Sequence, residues 1–133
     1  MTGLNGIVLI ACGFLSACTM QKSPPQQHAE HYIYQMRNEG GGNYRTLIAD
    51  SIKRAVPMFD CFYQQGIKDR EEKLPREAAE KKVDYFNSDE FLNQLTHTQS
   101  FINHEYKEQL SNKKRQIFTD EITGAYWDGY EGR

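Results

Sequence analysis

The chain has 133 residues, a formal net charge of −2 and a charged fraction of 26%. It therefore lacks the broad positive field that non-specific nucleic-acid binding requires, and no nucleic-acid partner is expected. All sixteen Lys and Arg and all eighteen Asp and Glu lie beyond Met20, and the part after the uncharged leader, about 116 residues, suits one modest hydrophobic core and hardly two.

The leader contains an apolar run from Gly6 to Leu15, about as long as a signal-peptide core and well short of the ~20 residues a spanning helix needs. It ends in Leu15-Ser16-Ala17-Cys18, which matches the lipobox of bacterial lipoprotein precursors. Small side chains at Ser16 and Ala17 let a signal peptidase approach the backbone and cut between Ala17 and Cys18. The Cys18 sulfur is the nucleophile that takes the diacylglyceryl group. Two or three acyl chains, each burying CH₂ groups at ~0.8 kcal/mol apiece, make a stable anchor where one myristoyl chain would be marginal. One feature departs from the pattern: Met1 to Asn5 carry no Lys or Arg, although basic residues usually hold that end in the cytoplasm, which leaves the true start codon open. Thr19 comes after the lipidated cysteine, and by resemblance to enteric lipoproteins this implies the outer membrane, since Asp there favours retention in the inner membrane. Residues 1–17 are thus read as a signal peptide. The expected partner of Cys18 is the membrane itself.

Residues 18–27 are polar and include Pro24-Pro25, which favour extended geometry, so they read as a lipidated tether. The domain is placed at residues 28–133. Tyr32, Ile33, Tyr34 and Met36 stand in near-alternation, which fits a short strand or an irregular segment. Gly40-Gly41-Gly42 interrupts regular structure, and Asn43 can cap the next helix. From Tyr44 the apolar residues Leu47, Ile48, Ile52, Ala55, Val56, Phe59, Phe62 and Tyr63 recur at helical spacing. Pro57 should kink or divide that helix, and Gly66 should stop it.

Lys68 to Lys73 read as a charged connector, with Pro75 in the first turn of a helix that turns Ala78, Ala79, Val83 and Phe86 inward. Ser88 should cap a further helix with Asp89 and Glu90 in its first turn and Phe91, Leu92, Leu95, Ile102, Tyr106 and Leu110 on its apolar face. Lys113, Lys114 and Arg115 suit the C-terminal end of that helix. A last helix carries Ile117, Phe118, Ile122, Ala125 and Tyr126. The fold class is all-α: a small domain of about four helices behind a lipid-anchored flexible tether.

The chemistry-bearing residues form no catalytic pattern. With Cys12 removed and Cys18 modified, Cys61 is the one free thiol of the mature chain, so no intrachain disulfide can form. Beside Asp60 it is not activated as a nucleophile and reads as a small buried apolar residue or, less strongly, a partner in an intermolecular disulfide. His28-Ala29-Glu30-His31, and His97 with His104, do not match a zinc spacing and read as solvated or interfacial. No metal, cofactor or catalytic residue is assigned. Trp127 and Tyr130 in the aromatic C-terminus are divided between two roles, anchors for a partner or residues docked into the domain's own core.

Several stretches together resemble a family. They are His28-Ala29-Glu30-His31-Tyr32-Ile33-Tyr34, Arg37-Asn38, Gly40-Gly41-Gly42-Asn43-Tyr44, Val56-Pro57 through Gln65-Gly66, Lys68-Asp69-Arg70, and Trp127 with Gly129-Tyr130. With the lipobox, this pattern is similar to the small entry-exclusion lipoproteins of mobilisable colicinogenic plasmids. The resemblance implies that the protein hinders entry of related plasmids during conjugal mobilisation, and it carries over no mechanism or catalytic residues. The physical account is that the tethered domain binds a mating or transfer component, and, with no catalytic constellation, it is not expected to be an enzyme. A structural or adaptor lipoprotein of the cell envelope is the alternative. A cell-wall hydrolase would need two carboxylates or a nucleophile pair in a cleft, and no arrangement singles one out.

Overall fold

The computed structural model describes residues 20–39, 47–99 and 112–133. These residues form five helices and no strand: α1 (Pro24–Asn38), α2 (Ile48–Glu71), α3 (Arg76–Phe86), α4 (Asp89–Gln99) and α5 (Asn112–Glu131). The all-α class expected from the periodicity holds. Ala17, Cys18, Gly40 to Tyr44, and Ile102, His104, Tyr106 and Leu110 lie outside the described residues.

Helix α1 corrects two expectations. The segment from His28 is neither strand nor irregular, because Ala29, Tyr32, Ile33 and Met36 are all buried at i, i+3, i+4 and i+7, one helical face. Nor do residues 24–27 belong to a tether. Ser23 stands at the N-cap in extended conformation (ψ 153°), with Pro24 and Pro25 opening the helix, where a missing N–H removes no hydrogen bond and a fixed φ suits the first turn. The Ser23 N–H donates to Gln26 Oε1 at 3.1 Å, half of a capping box.

Helix α2 runs unbroken across Pro57, so the division expected there does not occur. Its ring is exposed, on the side where water can reach the carbonyl that loses its partner. The helix also continues through Gly66 and ends at Glu71. Just beyond, Lys73 takes the left-handed conformation (φ 56°), its N–H bonds Arg70 O at 3.0 Å, and the Leu74 N–H reaches back to Asp69 O at 2.9 Å. This is the Schellman pattern, built on lysine where glycine is usual. Removing the side-chain strain should outweigh the extra chain entropy, so Lys73→Gly is expected to raise stability by about 0.5–1 kcal/mol, read from the urea midpoint at constant slope.

Pro75 is the N-cap of α3, one position ahead of the first turn, and its carbonyl accepts from the Ala78 and Ala79 N–H groups. Ser88 caps α4 as expected: its Oγ accepts the Phe91 N–H at 3.2 Å, with Asp89 and Glu90 in the first turn. Lys113, Lys114 and Arg115 do not close α4. They begin α5, at the positive end of its dipole, where ion pairs offset the mismatch: Lys113 meets Glu39 at 2.6 Å and Arg115 meets Asp89.

Three helices make the core. α1 lies antiparallel to α5, since Glu39 pairs with Lys113, Gln35 with Glu121 and His28 with Asp128. α2 runs parallel to α5: Phe59 and Phe118 both pack edge-on against Tyr32, and further along Asp69 meets Tyr126 and Leu74 meets Tyr130. Phe62 of α2 packs edge-on against Phe86 and Phe91, centroids 5.3 and 6.0 Å away, which fixes α3 and α4 to the bundle.

Gly66 explains itself at the crossing of α2 and α5. A Cβ there would lie 2.0 Å from Tyr126 O and 2.7 Å from Tyr130 N. Reciprocally, one on Gly129 would lie 2.0 Å from Tyr63 O and 2.9 Å from Ile67 N. The two backbones touch, so neither position has room for a side chain.

Candidate functional site

Two polar clusters sit inside this apolar framework. The first grows from Asp69, which the sequence places in a run of charges and which is 3% exposed. Because α2 continues to Glu71, this carboxylate turns inward and not into a solvated connector. Lys82 of α3 donates to both its oxygens, at 2.9 and 2.7 Å, and the Tyr126 hydroxyl of α5 donates to Oδ2 at 2.7 Å. One side chain thus ties three helices. Burial and the neighbouring carboxylate hold the Tyr126 phenol well above its ordinary pKa, so it remains a hydrogen-bond donor throughout the neutral range.

The second cluster joins α1 to α5. Its centre is His28, whose Nδ1 lies 2.6 Å from Glu121 Oε2 and whose Nε2 lies 2.8 Å from Asp128 Oδ2. Glu121 and Asp128 are seven residues apart, two turns on one face of α5. Between them Gly124 leaves the notch that receives the ring, for a Cβ there would stand 2.6 Å from His28 Cε1. Gln35 donates to the other Glu121 oxygen at 3.0 Å. The side chains of His28 and Glu121 are 15% and 11% exposed. Burial pulls the His28 pKa down, but hydrogen bonds and charge from Glu121 and Asp128 outweigh it and leave the pKa above its ordinary 6.5. Only the doubly protonated ring can donate to both carboxylates at once.

His28 is therefore neither solvated nor a free ligand, whereas His31 remains largely exposed. Among the described residues no group of three or more His, Cys, Asp or Glu could hold a metal ion. Cys61 is exposed on α2 and is not the buried apolar residue that its flanking pattern suggested.

Trp127 and Tyr130 are half-buried against the core. The Arg76 guanidinium lies over the Trp127 ring at 4.3 Å, Trp127 meets Tyr130 edge-on at 5.4 Å, and the Tyr130 hydroxyl donates to Leu74 O at 2.7 Å. These contacts close the turn between α2 and α3. Neither residue is fully buried.

The seam of α1 and α2 carries an open groove lined by Ile52, Val56 and Pro57 together with Lys22, Glu30 and Lys53. Among the described residues no helix is long and apolar enough to cross a membrane. No protein-family model, curated protein or solved structure matches the chain.

Proposed function

We propose that the protein is a lipid-anchored envelope protein that hinders entry of related plasmids during conjugal mobilisation. The observation that carries this reading is the lipobox at Leu15 to Cys18, set six residues ahead of a folded helical domain that begins at Pro24. Six residues span at most about 20 Å. Once lipid is attached at Cys18, the domain is held against the bilayer, in the outer membrane as Thr19 implies, where a mating or transfer component would meet it. The resemblance of the residue pattern to entry-exclusion lipoproteins supports the same role. The partly exposed Trp127 and Tyr130 are the proposed partner contact, since aromatic residues held by the core make favourable interface anchors. In this role the protein acts by binding and not by catalysis.

Recipient cells test the proposal. Wild-type recipients should accept a related mobilisable plasmid by mating less often than recipients lacking the gene, with transformation frequency the same in both. Cys18→Ser should abolish palmitate labelling and restore mating to the deletion level, because only sulfur accepts the diacylglyceryl group. Equal mating frequencies in wild-type and deletion recipients, with the lipidated protein present in the envelope, would refute exclusion and favour the adaptor reading.

A further inference from the structure

We propose that His28 is a proton-operated latch that closes the first two turns of α1 onto the C-terminal half of α5. The uneven burial of α1 is what makes the contact a latch. Its large buried side chains, Tyr32, Ile33 and Met36, all lie in the second half, whereas the first two turns bury only Pro25 and Ala29. Burial scales with apolar area, so the second half is held by the core. The first half depends on its cap and on the imidazole clasped between Glu121 and Asp128.

The groups that govern the latch are few. On α5, Glu121 and Asp128 supply the charge that acts on His28, and no charged side chain of α2 contributes. On α1, His31 stands 3.9 Å from the other Glu121 oxygen. Beyond α5, Arg133 reaches Asp128 Oδ1 at 3.2 Å and leaves Oδ2 to the ring. When His28 loses its proton, one ring nitrogen becomes an acceptor facing a carboxylate, and an attraction turns into a repulsion.

The sign of the pH dependence is set by the raised pKa. The stabilisation is complete below the unfolded value near 6.5 and is lost as pH rises through the folded value. Opening is local: α1 unwinds from Ser23 to about His31 while its second half stays docked. The latch needs no lipid and stands apart from the proposed function.

Hydrogen exchange of the full chain in detergent, read as protection factors at several pH values, tests it. Protection of the Gln27 to His31 amides, the first of which bonds Ser23 O, should fall roughly tenfold or more as pH passes through the His28 titration, tracked by the NMR signal of its ring, because a charge-assisted hydrogen bond is lost. Helices α2 and α5 should keep theirs. In His28→Gln, which cannot take the proton, the same segment should be weakly protected and insensitive to pH. Glu121→Gln should move the transition to lower pH. Unchanged protection of residues 27–31 across the His28 titration would overturn the proposal. So would an equal loss in α2, which would make His28 a determinant of global stability and not a latch.

Discussion

Alanine at Gly129 should lower the stability of the domain by about 3 kcal/mol or more, near the upper end of what overpacking costs. A new methyl group would lie 2.0 Å from Tyr63 O, and that oxygen belongs to helical backbone that cannot rotate aside. Relief requires α2 and α5 to separate, and separation loosens the edge-on contact of Phe86 with Tyr126, centroids now 5.5 Å apart. For a domain of this size, that cost corresponds to a fall of roughly 10–20 °C in melting temperature. Gly66→Ala should cost a similar amount. The double variant should cost less than the two added together, because one separation relieves both clashes. Thermal and urea unfolding of the four proteins would measure this. Additive losses would show that the two glycines act independently and that the crossing is not in backbone contact.

The second large effect is expected at Asp69. Removing its carboxylate in Asp69→Ala leaves the Tyr126 hydroxyl, on a residue with no exposed surface, without an acceptor, and it releases Lys82 from both of its hydrogen bonds. Breaking a buried pair from one side costs ~3–5 kcal/mol, and the partial exposure of Lys82 sets the expectation near the lower end. Tyr126→Phe should cost only about 1 kcal/mol, since Lys82 still satisfies the carboxylate. Urea denaturation would rank them. If Tyr126→Phe proved as damaging as Asp69→Ala, the hydroxyl and not the ion pair would be the centre of the cluster.

The parts of the fold legible in the sequence are those in which a single segment states its own period. Phe59 and Phe62 on α2, Ala79, Val83 and Phe86 on α3, and Ser88 ahead of Asp89 and Glu90 all stand where spacing and capping place them. Helix α1 is disguised because Tyr32-Ile33-Tyr34 looks like alternation, whereas Ala29, an easily overlooked apolar residue, completes a helical face with Tyr32, Ile33 and Met36. Gly66 signals a helix end only if no other backbone comes close, and the close backbone belongs to residues sixty positions away. The stop at Lys73 has no glycine to announce it. Lys113 and Arg115 answer to partners distant in the chain, Glu39 at the C-cap of α1 and Asp89 on α4, and not to the local dipole.

The polar clusters are harder still to read. Asp69 among Lys68, Arg70 and Glu71 has the composition of a solvated surface, and its burial emerges only once α2 is known to reach Glu71. For His28 a faint signal exists on α5 and not beside the histidine. Glu121 and Asp128 share one helix face with Gly124 between them, which is an anionic socket for a cation in outline.

The antiparallel course of α1 and α5 brings the start of the domain and the end of the chain to the same pole, where Tyr63 donates to Arg133 O at 2.9 Å. On the lipoprotein reading, this pole faces the bilayer. A fluorescent reporter fused after Arg133 would be pressed against lipid, where it would obstruct the aromatic C-terminus and crowd the anchor. On the same reading the opposite pole, marked by the Glu39 and Lys113 pair, would point away from the membrane.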